Sequence, residues 1–176
     1  MAIRKTLDKG LEKLEMQRHG LSERLEKFPP EQLAMVPAIG GWSVAQVITH
    51  MAMIEENSLA YLRKKYGGDR HRPVGVSSIF GLFILKVALV SPFKFKAPAN
   101  VSAVPVLSYA EANARWDKVR SELARAYGAI QDDHLGHDLF KHPSVGRLGL
   151  VQALSFMHAH HKKHLGQIDR ILRSSI

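Results

Sequence analysis

In Leu150-Val151-Gln152-Ala153-Leu154-Ser155-Phe156-Met157-His158-Ala159-His160-His161-Lys162-Lys163-His164-Leu165-Gly166-Gln167-Ile168, the core-facing positions recur every three to four residues. The row reads Leu150, Leu154, Met157, then His160 or His161, His164, Ile168 and Ile171. That period predicts an amphipathic helix, here following Gly146 and Gly149, with histidines set into its inward row. Three more segments read the same way. Leu7, Leu11, Leu14, Leu21 and Leu25 mark a first helix that ends at Phe28, before Pro29-Pro30. Arg18 falls in that row and is expected to snorkel at its edge. Ser43 and Gln46 form a capping box for a second helix carrying Val44, Val47, Ile48, Met51, Ile54 and Leu62, stopped near Tyr66 by Gly67-Gly68. Trp42 packs its entry. A second box, Ser108 and Glu111, opens a third helix with Ala112, Trp116, Val119, Leu123 and Ile130. The expected fold is all-α, a four-helix bundle with a long crossover between helices 2 and 3, formed by residues 1–176 as a single domain.

The crossover runs from Gly67 to Leu107. A structureless connection of that length is unusual. A short helix over 77–90 is therefore expected, then an extended Pro-bounded strap through Pro92 and Pro98. Strand-like alternation is not seen. The apolar run Ser77 to Val90 is interrupted by Lys86 and falls short of the roughly 20 residues that span a bilayer. The N-terminal residues do not read as a signal peptide, so a cytoplasmic protein is expected. The run's apolar character makes a homodimer the expected assembly.

Cysteine is absent, which excludes a disulfide scaffold, a thiolate nucleophile, a Cys-based zinc finger and an iron–sulfur cluster. The ten histidines carry the chemistry instead, and four of them fall within residues 158–164. Residues four apart on a helix share a face, so His160 and His164 can aim two imidazoles at one metal ion. His161 with His164, three apart, is an equal alternative on spacing alone. His50 is the candidate third ligand, on the line Val47, His50, Ile54, Asn57, Tyr61 beside the apolar stripe of the second helix. Three neutral imidazoles leave a fourth position for water or substrate, the arrangement of a catalytic site. Asn57, Gln167 and His161 are candidates for groups beside the ligands that orient a ring or a bound water; Glu55 is less well phased for that role.

Trp42-Ser43-Val44-Ala45-Gln46-Val47-Ile48-Thr49-His50 and His160-x-x-x-His164-Leu165-Gly166-Gln167-Ile168 resemble the DinB-like superfamily, which includes YfiT-type proteins and bacillithiol or mycothiol S-transferases. Phe95-Lys96-Ala97-Pro98 and His142-Pro143 also follow that pattern. The resemblance implies a four-helix bundle holding a divalent metal ion, zinc or nickel, on His50, His160 and His164. It favours His160 over His161 through the register with Gly166-Gln167. Lys163 departs from the histidine that many members carry before the last ligand, which removes one group from beside the site. The implied activity is thiol S-transfer or hydrolysis of a small-molecule substrate.

Two other classes compete. A net charge of +9 raises nucleic-acid binding, but Lys and Arg are spread along the chain and accompany no helix-turn-helix, RNA-binding or zinc-finger pattern. Specific nucleic-acid binding and membrane association are not expected. A non-catalytic metal-binding or dimeric interaction bundle is the remaining alternative. The His-Glu-x-x-His pattern of metalloproteases is missing.

Overall fold

Two capping boxes begin the paired helices of the bundle. The Gln46 N–H donates to Ser43 Oγ at 3.2 Å while the Ser43 N–H donates to Gln46 Oε1 at 3.1 Å. Ser108 and Glu111 repeat the exchange. Each box satisfies N–H groups that a helix start otherwise leaves without partners. The computed structural model describes residues 2–38, 40–68, 72–90, 103–142 and 145–174. In chain order these form α1 (Ala2–Leu25), α2 (Pro30–Ala34), α3 (Val44–Tyr66), α4 (Val76–Val90), α5 (Tyr109–Gly128), a 3-10 turn (Asp132–His134), β1 (Phe140–His142), β2 (Gly146–Leu148) and α6 (Leu150–Ser174).

The four long helices α1, α3, α5 and α6 make the expected bundle. α3 lies along α5 and α1 along α6, while α6 also meets α3 and receives α4. The core is the sum of their inward rows: Leu7, Leu14, Leu21 and Leu25 of α1, Val47, Ile48, Met51 and Leu62 of α3, Trp116 and Leu123 of α5, and Leu154, Met157 and Ile168 of α6. Each such apolar side chain contributes about 1.5–3 kcal/mol on burial. Arg18 does not simply snorkel. It is largely covered, and its guanidinium holds Glu15 at 2.6 Å and Asp117 of α5 at 3.0 Å.

The crossover helix predicted over 77–90 is α4. The strap through Pro92 and Pro98 lies outside the described residues. Two features depart from the sequence reading. α1 ends at Leu25 and reaches Phe28 through a turn. A short antiparallel hairpin precedes α6, pairing Phe140 with Leu148 and His142 with Gly146. Three-residue strands are too short to show alternation, which is why the pattern hid them. Among the described residues no helix is long and apolar enough to cross a membrane.

Candidate metal centre

His50 comes from α3, and His160 and His164 stand one turn apart on α6. One ring nitrogen from each lies within 4.8 Å of the other two, and all three residues are buried. The His50 ring centroid is 4.9 Å from that of His164 and 5.4 Å from that of His160. The helical repeat explains the pair on α6, because four residues advance the chain by about one turn. The contact of α3 with α6 brings in the third ring.

Hydrogen bonding orients these rings for ligation. His164 Nδ1–H donates to Gln167 Oε1 at 2.8 Å. That bond fixes the tautomer, so Nε2 of His164 carries a lone pair facing the cluster. Nε2 of His160 lies 3.1 Å from it. Two lone pairs do not meet at that distance, so the His160 Nε2–H donates to His164 in the ion-free protein. Nδ1 of His160 is buried with no hydrogen-bond partner among the described residues.

The cluster favours neutral imidazole. Burial, and then the neighbouring rings His164, His161 and His50, hold His160 well below its usual pKa. His164 is pushed down to about 3 by burial and by His50, against the opposing effect of the Gln167 bond. Neutral imidazole is the form that binds a metal ion, since the ring must offer a lone pair. Aromatic rings wall the site: Trp42 stands 4.9 Å from His50, and Phe156 5.5 Å from His160. His142, at the end of β1, meets Phe156 edge-on at 4.8 Å, and burial lowers its pKa to about 4. Trp42 therefore packs the helix entry and borders the site as well.

The other sequence candidates separate. Gln167 is joined to the cluster by its bond to His164. His161, the alternative on spacing, points elsewhere: its Nε2 lies 3.1 Å from Glu55, at ion-pair distance but off the line of a hydrogen bond, and its ring meets Trp116 edge-on at 5.4 Å. One residue along a helix is a turn of about 100°, which carries His161 away from the face of His160. Asn57 is exposed. It shares the row of His50 but sits seven residues on, about 10 Å along the axis, beyond reach of the imidazoles. His158 turns to α1, where its Nδ1 meets Gln17 at 2.8 Å.

Sequence reasoning passed over the importance of Glu55. Its carboxylate is fully buried and receives the Arg120 guanidinium through two nitrogens, Nε at 2.8 Å and Nη2, together with the Trp116 indole N–H at 2.9 Å. Burial pushes its pKa up, but Arg120 and His161 outweigh that and bring it down to about 2. Nη1 of Arg120 also lies 3.9 Å from Glu15 of α1. One carboxylate thus connects all four helices of the bundle. A surface groove of about 550 Å³, floored by Leu62, Ala126 and Ile130, lies toward the far ends of α3 and α5, away from the imidazoles.

The family model of the DinB superfamily matches residues 13–168. The chain belongs to the DinB superfamily. It is 24% identical over 148 residues to the uncharacterized protein YuaE of Bacillus subtilis, an alignment spanning 84% of this chain and 87% of YuaE. It also shares its fold with YfiT from Bacillus subtilis, described as a probable metal-dependent hydrolase with an unusual four-helix bundle topology. That likeness has a TM-score of 0.60 at 19% identity and covers 95% of this chain and 86% of YfiT.

Proposed function

We propose that this DinB-superfamily protein is a metal-dependent enzyme that holds one divalent ion, zinc or nickel, on His50, His160 and His164. The observation that carries the reading is the convergence of three buried ring nitrogens within 4.8 Å. The donor set fits such an ion. Imidazole suits zinc and nickel, whereas calcium and magnesium take oxygen ligands. Lowered imidazole basicity keeps the rings ready, and the partnerless Nδ1 of His160 can take the proton that Nε2 gives up on ligation. When bound, the ion supplies Lewis acidity at an open fourth position, polarising a carbonyl or lowering the pKa of water or a thiol there.

This chain's residues would do the rest. Gln167 holds the His164 tautomer, and Trp42 and Phe156 present apolar walls beside the open position. The likeness to YfiT, described as a probable metal-dependent hydrolase, supports hydrolysis as the reaction. Thiol S-transfer is the alternative outcome for the same open position.

The test loads purified protein with zinc or nickel. It is offered a panel of small esters and amides and, separately, a low-molecular-weight thiol with an electrophilic acceptor. The reading expects turnover on one panel that disappears in His164→Ala. Equal rates with and without the His164 imidazole on every active substrate would contradict it.

A further inference from the structure

α4 is apolar on both faces, and it buries the smaller one. Ser78, Gly81 and Leu85 face the protein. Ser78 donates its hydroxyl proton to the Arg147 carbonyl at 2.8 Å, and Ser78 and Leu85 are 5% and 8% exposed. A Cβ on Gly81 would come within 3.2 Å of Val145, so glycine lets the helix lie close to the hairpin. The opposite face carries Phe80, Phe83, Ile84 and Val87, which are 65%, 64%, 47% and 50% exposed. A helix that only covered the bundle would place its large apolar side chains inward.

We propose that this outer face of α4 is the core of a homodimer interface, occupied by the same face of a second copy. Three observations favour that occupant. The first is area: an aromatic side chain offers about 150–250 Å², so at these exposures the four residues leave roughly 400 Å² of apolar surface in water. A pair of copies removes about 800 Å², around half of the ~1,600 Å² of a standard interface, with polar surroundings left to form the rim. The second is charge. The four residues of the face are uncharged, Lys86 being the one charged residue in the α4 sequence, so an apolar patch meets its own copy. The third is spacing. An antiparallel pairing about a twofold axis between Phe83 and Ile84 sets Phe80 against the partner's Val87 and Phe83 against the partner's Ile84. Large side chains then oppose smaller ones on both sides, as a self-complementary interface requires. The proposal does not depend on the metal reading.

The absence of cysteine makes a direct test available. Light scattering after gel filtration, from about 1 to 100 μM, is expected to give a dimer for the parent chain. Phe80→Asp/Phe83→Asp is expected to give a monomer with unchanged helicity, its dissociation constant raised at least a hundredfold. Ile84→Cys is expected to form an intermolecular disulfide under mild oxidation, while Met16→Cys, an exposed position on α1, stays reduced. A parent chain that is monomeric at 100 μM overturns the proposal. So does a dimer that the double substitution leaves intact. If the monomer instead sediments with phosphatidylcholine–phosphatidylglycerol vesicles and the double substitution abolishes this, the face binds lipid. If Ile84→Cys neither crosslinks nor reacts with a small thiol reagent, this chain covers the face itself. Both outcomes overturn the homodimer.

Discussion

The three-imidazole cluster and the Glu55 network are both buried polar groups at the junction of α3 and α6, yet they stand in opposite electrostatic states. Glu55 is ionised and its charge is met: Arg120, the Trp116 N–H and His161 surround it. His160 and His164 are held neutral, and their ring nitrogens converge on one another with one nitrogen left bare. Burying a polar atom without a partner costs free energy. In the first arrangement the carboxylate is fully met, although Arg120 Nη1 and both ring nitrogens of His161 make no hydrogen bond among the described residues. On the proposed reading a cation completes the second, and His160 and His161, adjacent in sequence, divide the two tasks.

Breaking the Glu55 network should have the largest effect on folding. Glu55→Gln leaves the Arg120 guanidinium buried without its counter-charge and is expected to cost about 3–5 kcal/mol in denaturant unfolding. Glu55→Leu/Arg120→Met, which removes both charges, should recover most of that loss. His160→Leu should behave differently. In metal-free protein it is expected to stay within about 1 kcal/mol of the parent, because it removes a group with an incomplete partner set. A loss as large as that of Glu55→Gln would erase the distinction.

Acid should separate the two groups next. The folded pKa of His164, about 3, lies below the 6.5 of a free imidazole, so the unfolded chain takes up protons first as pH falls. The corresponding stability is whole above pH 6.5 and drains away between about 6.5 and 3. Glu55, lowered from 4.5 to about 2, loses its share later, between about 4.5 and 2. Metal-free protein should therefore begin to lose stability near pH 6, and His164→Leu should shift that onset downward. An unchanged onset, followed by far-UV circular dichroism during acid titration, would show that the imidazoles do not lead the transition.

Smaller effects sharpen the ligand side. Gln167→Ala should leave folding nearly unchanged while weakening zinc binding by about 10–100-fold, the usual cost of losing a partner that orients a ligating imidazole. His158→Ala should alter zinc affinity least, since its ring is bonded to Gln17 on α1. Competition with a chromophoric chelator reads both.

Much of this was legible in residue order. The boxes at Ser43 and Ser108 started α3 and α5, and Gly67-Gly68 stopped α3, because caps and stops are local chemistry. The i,i+4 spacing brought His160 and His164 to one face, and the line through His50 supplied the third ring. Spacing did not choose between His160 and His161, since both lie within one turn of His164. Rotation of α6 against α3 and α5 makes the choice. Glu55 was undervalued because its partners, Trp116, Arg120 and His161, lie 61, 65 and 106 positions away and belong to packing that no local pattern encodes. Asn57 fails for the converse reason: helical phase gave it the right row, while axial distance put it out of reach.

The central claim is that three buried imidazoles form one metal site. Metal content by elemental mass spectrometry, on untagged protein never exposed to a nickel column and then titrated with zinc and nickel, tests it most directly. The parent chain should bind one ion per chain, with binding lost in His50→Ala, His160→Ala and His164→Ala and kept in His158→Ala. A parent chain that takes up neither ion, or three ligand variants that hold it as tightly as the parent, would contradict the account.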